Sequence, residues 1–174
     1  MFGQVEPKNV KCDNFTLAPN GRMPNSHLPV LVYRAVGQGD DLESFFRHLF
    51  KQNHWGGEWA LGVYGYHHFH SNAHEVLGVA EGSATLILGG EDGREIEVAK
   101  GDVLVLPAGT GHRRTRDSWD FWVVGAYPRG QEEYDEYTNQ RMCPNCALRL
   151  RAVELPSSDP VYGSEGPLPE LWQI

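Results

Sequence analysis

The chain has 174 residues, 40% of them hydrophobic and 11% aromatic, and a formal net charge of −8. That is enough for one domain with a buried core, and it excludes a disordered tail. An acidic chain argues against nucleic acid or an anionic membrane as partner, and no apolar run approaches the roughly 20 residues of a membrane span.

The opening MFGQVEPKNVKCDNF lacks the basic-then-apolar order of a secretion signal, so a cytoplasmic location is expected. Residues 1–27 carry scattered Pro, Asn and Gly and read as an extended arm. LPVLVYRAV (28–36) is β-branched and apolar and predicts a first strand. An amphipathic helix follows over 41–52. Asp40 is placed to cap it, Glu43 completes a capping box, and Leu42, Phe45, Phe46, Leu49 and Phe50 form an apolar stripe. NHWGG (53–57) ends it.

From Trp59 to Tyr127 the pattern changes to short strands: WALGVY, YHHFH, EVLGVAEG, ATLILGG, REIEVAKG, DVLVLPAG, HRRTR and FWVVGAY. GGEDG (89–93) and the Lys100–Gly101 pair punctuate them as tight turns. Strands this closely spaced, with no helix between them, predict an antiparallel sandwich or barrel. The expected organisation is an arm (1–27), an all-β domain that includes the helix (28–127), and a proline-rich extended strap packed on it (128–174). LPVLVYR and the arm expose pairing capacity that a second subunit would cover, which makes a homodimer plausible.

Cys12, Cys143 and Cys146 are too few for a disulfide framework and fit a reducing compartment. CPNC (143–146) reads first as two thiols in a loop, with a disulfide or a shared intermolecular metal as alternatives.

The segment GVYGYHHFHSNAHE (62–75) carries the chemistry. Side chains on a strand share a face every second residue, so His68 and His70 can converge on one ion, with Glu75 and His112 brought in from elsewhere in the sheet. Parity sends His67 and His74 the other way, and only a bulge would let His74 replace Glu75 as a ligand. Gly101, Pro107 and Gly109 frame the turn that aims His112 inward. Tyr64 and Tyr66 share the ligand face and are candidates for substrate contact. Arg114 and Arg116 fall on the side of His112, where either could hold a substrate carboxylate. The competing reading of these arginines is a solvated edge paired with Asp117 or Asp120. Trp119, Phe121 and Trp122 read as core and rim packing. No residue is singled out as catalytic.

Two patterns hold these residues together. G-x5-H-x-H-x4-E-x6-G is met by Gly62, His68, His70, Glu75 and Gly82, and G-x5-P-x-G-x2-H by Gly101, Pro107, Gly109 and His112. They resemble the two signature motifs of the cupin superfamily, except that Arg116 stands where the second motif closes on Asn. The resemblance implies a single-domain jelly-roll β-barrel with His68, His70, Glu75 and His112 as ligands of one divalent transition metal. MPNSHLPVLVYR, HHFHSNAHEVLG, GDVLVLPAGTGH, VVGAYP and SDPVYGSEGPL further resemble the YjlB-like single-domain cupins, from about Leu28 to the C-terminus. This likeness speaks for fold and site and names no substrate. Three imidazoles and a carboxylate suit Fe, Mn, Ni, Co, Zn or Cu without distinguishing them. The favoured function is a metalloenzyme, oxidoreductase or isomerase/lyase, acting on a small oxygen-rich molecule by dioxygenation or metal-assisted proton transfer. A non-catalytic module that binds a small molecule, or that the metal staples, is the alternative.

Overall fold

Two antiparallel sheets face each other across an apolar core in the computed structural model, which describes residues 11–174. The first ten residues of the expected arm lie outside the described residues. The first sheet runs β1 (Cys12–Phe15), β2 (Val30–Tyr33), β8 (Val103–Leu106), β5 (Glu75–Glu81), β10 (Trp122–Pro128) and β3 (Trp55–Leu61). The second runs β11 (Tyr137–Thr138), β4 (His68–Phe69), β9 (His112–Asp117), β6 (Ser83–Leu88) and β7 (Arg94–Ala99). No strand pairing among the described residues joins the two sheets, which face each other as a β-sandwich.

The inner strands of the first sheet, β2, β8, β5 and β10, are buried on both faces. Val30, Val32, Leu77, Val79, Leu104 and Leu106 point between the sheets, whereas Leu31, Tyr33, Val76, Val103 and Val105 belong to an outer cluster shared with a helix and the C-terminal strap. Continuous apolar runs such as VLVY and VLVL follow from that two-sided burial. In β7, by contrast, only Ile96 and Val98 are buried, which gives the alternation of REIEVA.

The covering helix is α1 (Leu42–Gln52), whose five stripe residues are all buried. Its cap is Asp41, one residue later than expected, and the Asp41 carboxylate accepts from the Ser44 amide at 3.1 Å. Glu43 is therefore at the wrong position for a capping box. It accepts instead from Arg47 at 3.2 Å and from the Trp122 indole at 3.1 Å. Gly78 on β5 lets α1 dock closely, since a Cβ there would stand 2.7 Å from the Phe46 ring.

The N-terminal arm contributes β1, which pairs with β2 from Cys12↔Tyr33 to Phe15↔Val30. LPVLVYR thus lies inside its sheet, between β1 and β8, and the edge that suggested a homodimer is covered by the chain itself. The C-terminal strap is less extended than expected: it holds β11, α2 (Cys146–Ala152) and α3 (Leu168–Leu171). Asp159, fully buried, fastens it by accepting from the Tyr33 hydroxyl and from the amides of Val161 at 2.8 Å and Tyr162 at 3.1 Å. The buried Trp172 donates to the Pro29 carbonyl at 2.9 Å. Cys143 and Cys146 are joined as a disulfide, with Cα atoms 5.3 Å apart, rather than standing as two thiols. Trp119 is 97% exposed and takes no part in the core, although Phe121 does. No helix among the described residues is long and apolar enough to cross a membrane.

Candidate metal centre

His68, His70 and His112 meet at one end of the sandwich, all buried, each offering a nitrogen within 4.8 Å of the others. His68 on β4 and His112 on β9 are directly paired across the strands, with ring centroids 4.0 Å apart. His70 follows β4 on the same face, as the alternation required. The glycine-proline frame before His112 acts as expected. Gly109 adopts φ +91°, donates to the His70 carbonyl at 2.8 Å, and leaves no room for a Cβ, which would stand 2.7 Å from the Asn25 carbonyl oxygen.

The three rings share one orientation device. Each Nδ1 faces a backbone carbonyl: His68 that of Tyr66 at 3.0 Å, His70 that of Asp135 at 2.5 Å, and His112 that of Thr110 at 3.0 Å. A carbonyl only accepts, so Nδ1 carries the proton in each ring and Nε2 is the nitrogen left to face the cavity. Metal-binding histidines are commonly held this way. The donor set therefore fits a divalent transition metal, in ligand type and in the direction of the lone pairs.

Glu75 reaches the cluster from the facing sheet. Its Oε2 is 3.1 Å from His70 Nε2 and its Oε1 is 3.2 Å from His112 Nε2. Burial alone would raise its pKa, but the charge of His70 and the hydrogen bonds of His112 and His70 outweigh that and hold it well below the usual carboxylate range. Burial likewise pulls His70 down, yet the Glu75 carboxylate reverses the shift and raises it. For His68 burial, aided by His112, outweighs the opposing pull of the Tyr66 carbonyl and Glu75 and lowers it to about 3.

Three neighbours escaped the sequence reading. Tyr127 donates to Glu75 Oε2 at 2.8 Å and accepts from the Trp59 indole at 2.7 Å. Burial and the adjacent Glu75 charge raise the Tyr127 phenol far above its ordinary value, so it stays protonated. Trp59 reaches it because Gly125 has no side chain where the indole lies. Tyr134 stacks on Tyr127 at 4.2 Å and meets the His70 ring edge-on at 4.9 Å. Strand parity through Val123, Gly125 and Tyr127 could have flagged the first of these residues. Nothing in the sequence pointed to Tyr134, which comes from the strap. The strap also supplies Asp135, whose carboxylate accepts from the Ser71 amide at 2.6 Å and from Arg149 on α2 at 3.1 Å.

The other expected site residues are distributed unevenly. Tyr64 lines a cavity of about 220 Å³ beside the histidines, and Tyr66, stacked on it at 4.8 Å, lies at the rim. Arg114 and Arg116 do not line that cavity. Arg114 is taken up by Asp117 at 2.7 Å and the Val63 carbonyl at 3.1 Å, and a bulge around Thr115 turns Arg116 toward Glu95, 3.8 Å away. His67 is outside the cluster. So is His74, because β5 pairs regularly with β8 from Glu75 onward and no bulge reverses its parity. His74 Nδ1 accepts from the Ala108 amide at 2.9 Å, and the ring packs on Trp172 at 4.7 Å.

His74 makes a pH prediction of its own. Burial lowers it from 6.5 to about 4, so below pH 6.5 the unfolded chain takes up a proton that the folded chain refuses. Stability is expected to fall with pH across that window, by about 2 kcal/mol between pH 7 and pH 4.5 from this residue. Denaturant titrations in chelator should show His74→Gln, which keeps an acceptor for Ala108, with a correspondingly flatter pH dependence. Coincident curves would contradict the assignment.

Residues 58–118 match the cupin domain family (Cupin_2), so the two-sheet fold and its histidine cluster are those of a cupin. Over 158 residues the chain is 37% identical to the uncharacterized protein YjlB of Bacillus subtilis (strain 168), covering 88% of this chain and 92% of that one. It belongs to the YjlB-like cupins. Among solved structures it is similar to acireductone dioxygenase from Bacillus anthracis, which has a cadmium ion in its active center. That match has 14% identity and a TM-score of 0.38, over 51% of this chain and 60% of the other. A DUF861 family protein from Thermotoga maritima is 18% identical, with a TM-score of 0.33, over 50% of this chain and 92% of its own. No inference about chemistry follows from structural resemblance this distant.

Proposed function

We propose that the protein is a mononuclear metalloenzyme acting on a small oxygen-bearing organic molecule, with His68, His70, Glu75 and His112 as the metal ligands. The observation that supports this most is the common orientation of three buried imidazoles, each with Nδ1 tied to a carbonyl and Nε2 directed to the cavity. A divalent ion held there would supply Lewis acidity toward a substrate oxygen, or a redox centre if it is iron.

The chain's own residues favour proton transfer over oxygenation. Tyr127 holds a proton 2.8 Å from Glu75 Oε2, at the wall of the cavity, and the Trp59 indole steadies its oxygen by donating to it. A phenol fixed at that position can give a proton to, or share one with, a substrate atom placed against Glu75. Trp59, Leu77, Tyr127 and Tyr134 wall the cavity around Glu75. The test is proton NMR of carbon-bound hydrogen exchange in deuterated buffer, across a panel of small hydroxy- and keto-compounds. Exchange by the native protein, absent from a folded His70→Ala variant, is expected. Oxygen uptake without exchange would replace this reading by oxygenation, and neither activity would leave a binding module.

Tyr127→Phe is a second check. It removes the donor that orients Glu75, and metal affinity is expected to fall roughly 10–100-fold, as for other partners of metal ligands. Competition against a chromogenic chelator measures it. An unchanged affinity would mean that the histidines alone orient the carboxylate.

A further inference from the structure

We infer that the ligand of this cavity carries a positively charged organic group, of the alkylammonium class, which sits at the mouth against Glu136 and the rim tyrosines. Only the inner, oxygen-bearing end of that ligand rests on the metal reading.

The charged side chains lining the cavity are His-cluster Glu75 and, nearer the mouth, Glu136; no Lys or Arg is among its lining residues. The nearby arginines are engaged elsewhere. Arg114 is held by Asp117 and Val63, and Arg149 by Asp135 at 3.1 Å and the Tyr137 hydroxyl at 2.9 Å. An anionic group at the mouth would therefore meet a carboxylate and neither a lysine nor an arginine. Glu136 is half-buried and makes no ion pair among the described residues.

The second observation is aromatic. Tyr64 and Tyr134 line the cavity yet remain 50% and 42% exposed, and Tyr66, 45% exposed, backs Tyr64. Two half-exposed tyrosines at one opening, one of them backed by Tyr66, leave an aromatic surface to water of the kind that marks binding sites. Aromatic faces are negative at the centre, so they attract an organic cation and offer nothing comparable to an anion. A carboxylate beside such faces strengthens the preference. With about 220 Å³ available, the ligand is small: an oxygen donor directed inward and a cation outward.

The test uses choline and its neutral isostere 3,3-dimethylbutan-1-ol as probes, titrated calorimetrically into the metal-loaded protein and into chelator-treated protein. Choline is expected to bind about fivefold more tightly or better. Glu136→Gln should bring the two within about twofold while leaving metal content unchanged. Because Glu136 is half-buried, Tyr64→Leu at the exposed rim serves as a second variant, expected to weaken choline more than the alcohol. The inference is overturned if the alcohol binds as tightly as choline, if the preference survives both variants, or if choline binds neither form. Failure of the metal reading would show separately, as a native protein without metal, and the charge preference could still be read on the chelator-treated form.

Discussion

His112→Ala, purified anaerobically without a His tag or added metal, is expected to hold less than about a tenth of the metal of the native chain, itself expected to carry about one equivalent. His112 is buried, pairs with His68 across β4 and β9, and faces Glu75 from the opposite sheet. Removing it takes away one of the four proposed donors. His70→Ala should behave alike, with circular dichroism showing the fold retained. Elemental analysis decides the matter. Metal retained at native levels in both variants, or none in the native protein after reconstitution with each candidate ion, would remove the metal reading. The element found then directs the assay: iron to oxygen uptake, zinc, nickel or manganese to proton exchange.

Phe46→Ala carries the largest expected effect on stability, a loss of about 3–5 kcal/mol. The ring is fully buried, lies over Gly78, stacks on Phe50 at 5.5 Å and meets Phe45 edge-on at 5.3 Å. Truncation leaves a void between α1 and β5 that the rigid sheet cannot close. For a chain of this length the loss corresponds to roughly 6–20 °C in Tm. Phe46 is on the outer face of the first sheet and the histidine cluster is on the other side of it, so metal stoichiometry should be unchanged at 25 °C. A loss below about 1 kcal/mol would mean that α1 adds little to the core.

The two predictions separate what the sheet carries on its two faces, and that division was partly legible. Helix α1 was readable because its stripe at 3.6-residue spacing is local, as is the strand alternation that put His68 and His70 on one face. The cap was misplaced by one residue, because Asp40 and Asp41 are chemically equivalent and only the actual first turn chooses between them. Arg114 and Arg116 failed for a related reason. Strict alternation pointed both at the site, but the bulge at Thr115 broke the parity, and Asp117 and the Val63 carbonyl captured Arg114.

By itself, the sequence determined the all-β architecture, the amphipathic helix and the shared face of His68 and His70, all of which depend on spacing along a few residues, while the place of His112 beside them was implied by the cupin motifs. Only the tertiary structure decided what surrounds them. Glu75 meets Tyr127 and Trp59 through pairing of β5, β10 and β3, while Tyr134, Asp135 and Glu136 arrive from the strap, some 60 residues beyond the histidines they touch or face. The open sandwich, the arm that covers β2 and the Cys143–Cys146 link are likewise products of pairing between distant segments. Periodicity reports which way a side chain points relative to its own strand. It carries no information about which strand, or which stretch of strap, the fold will set opposite.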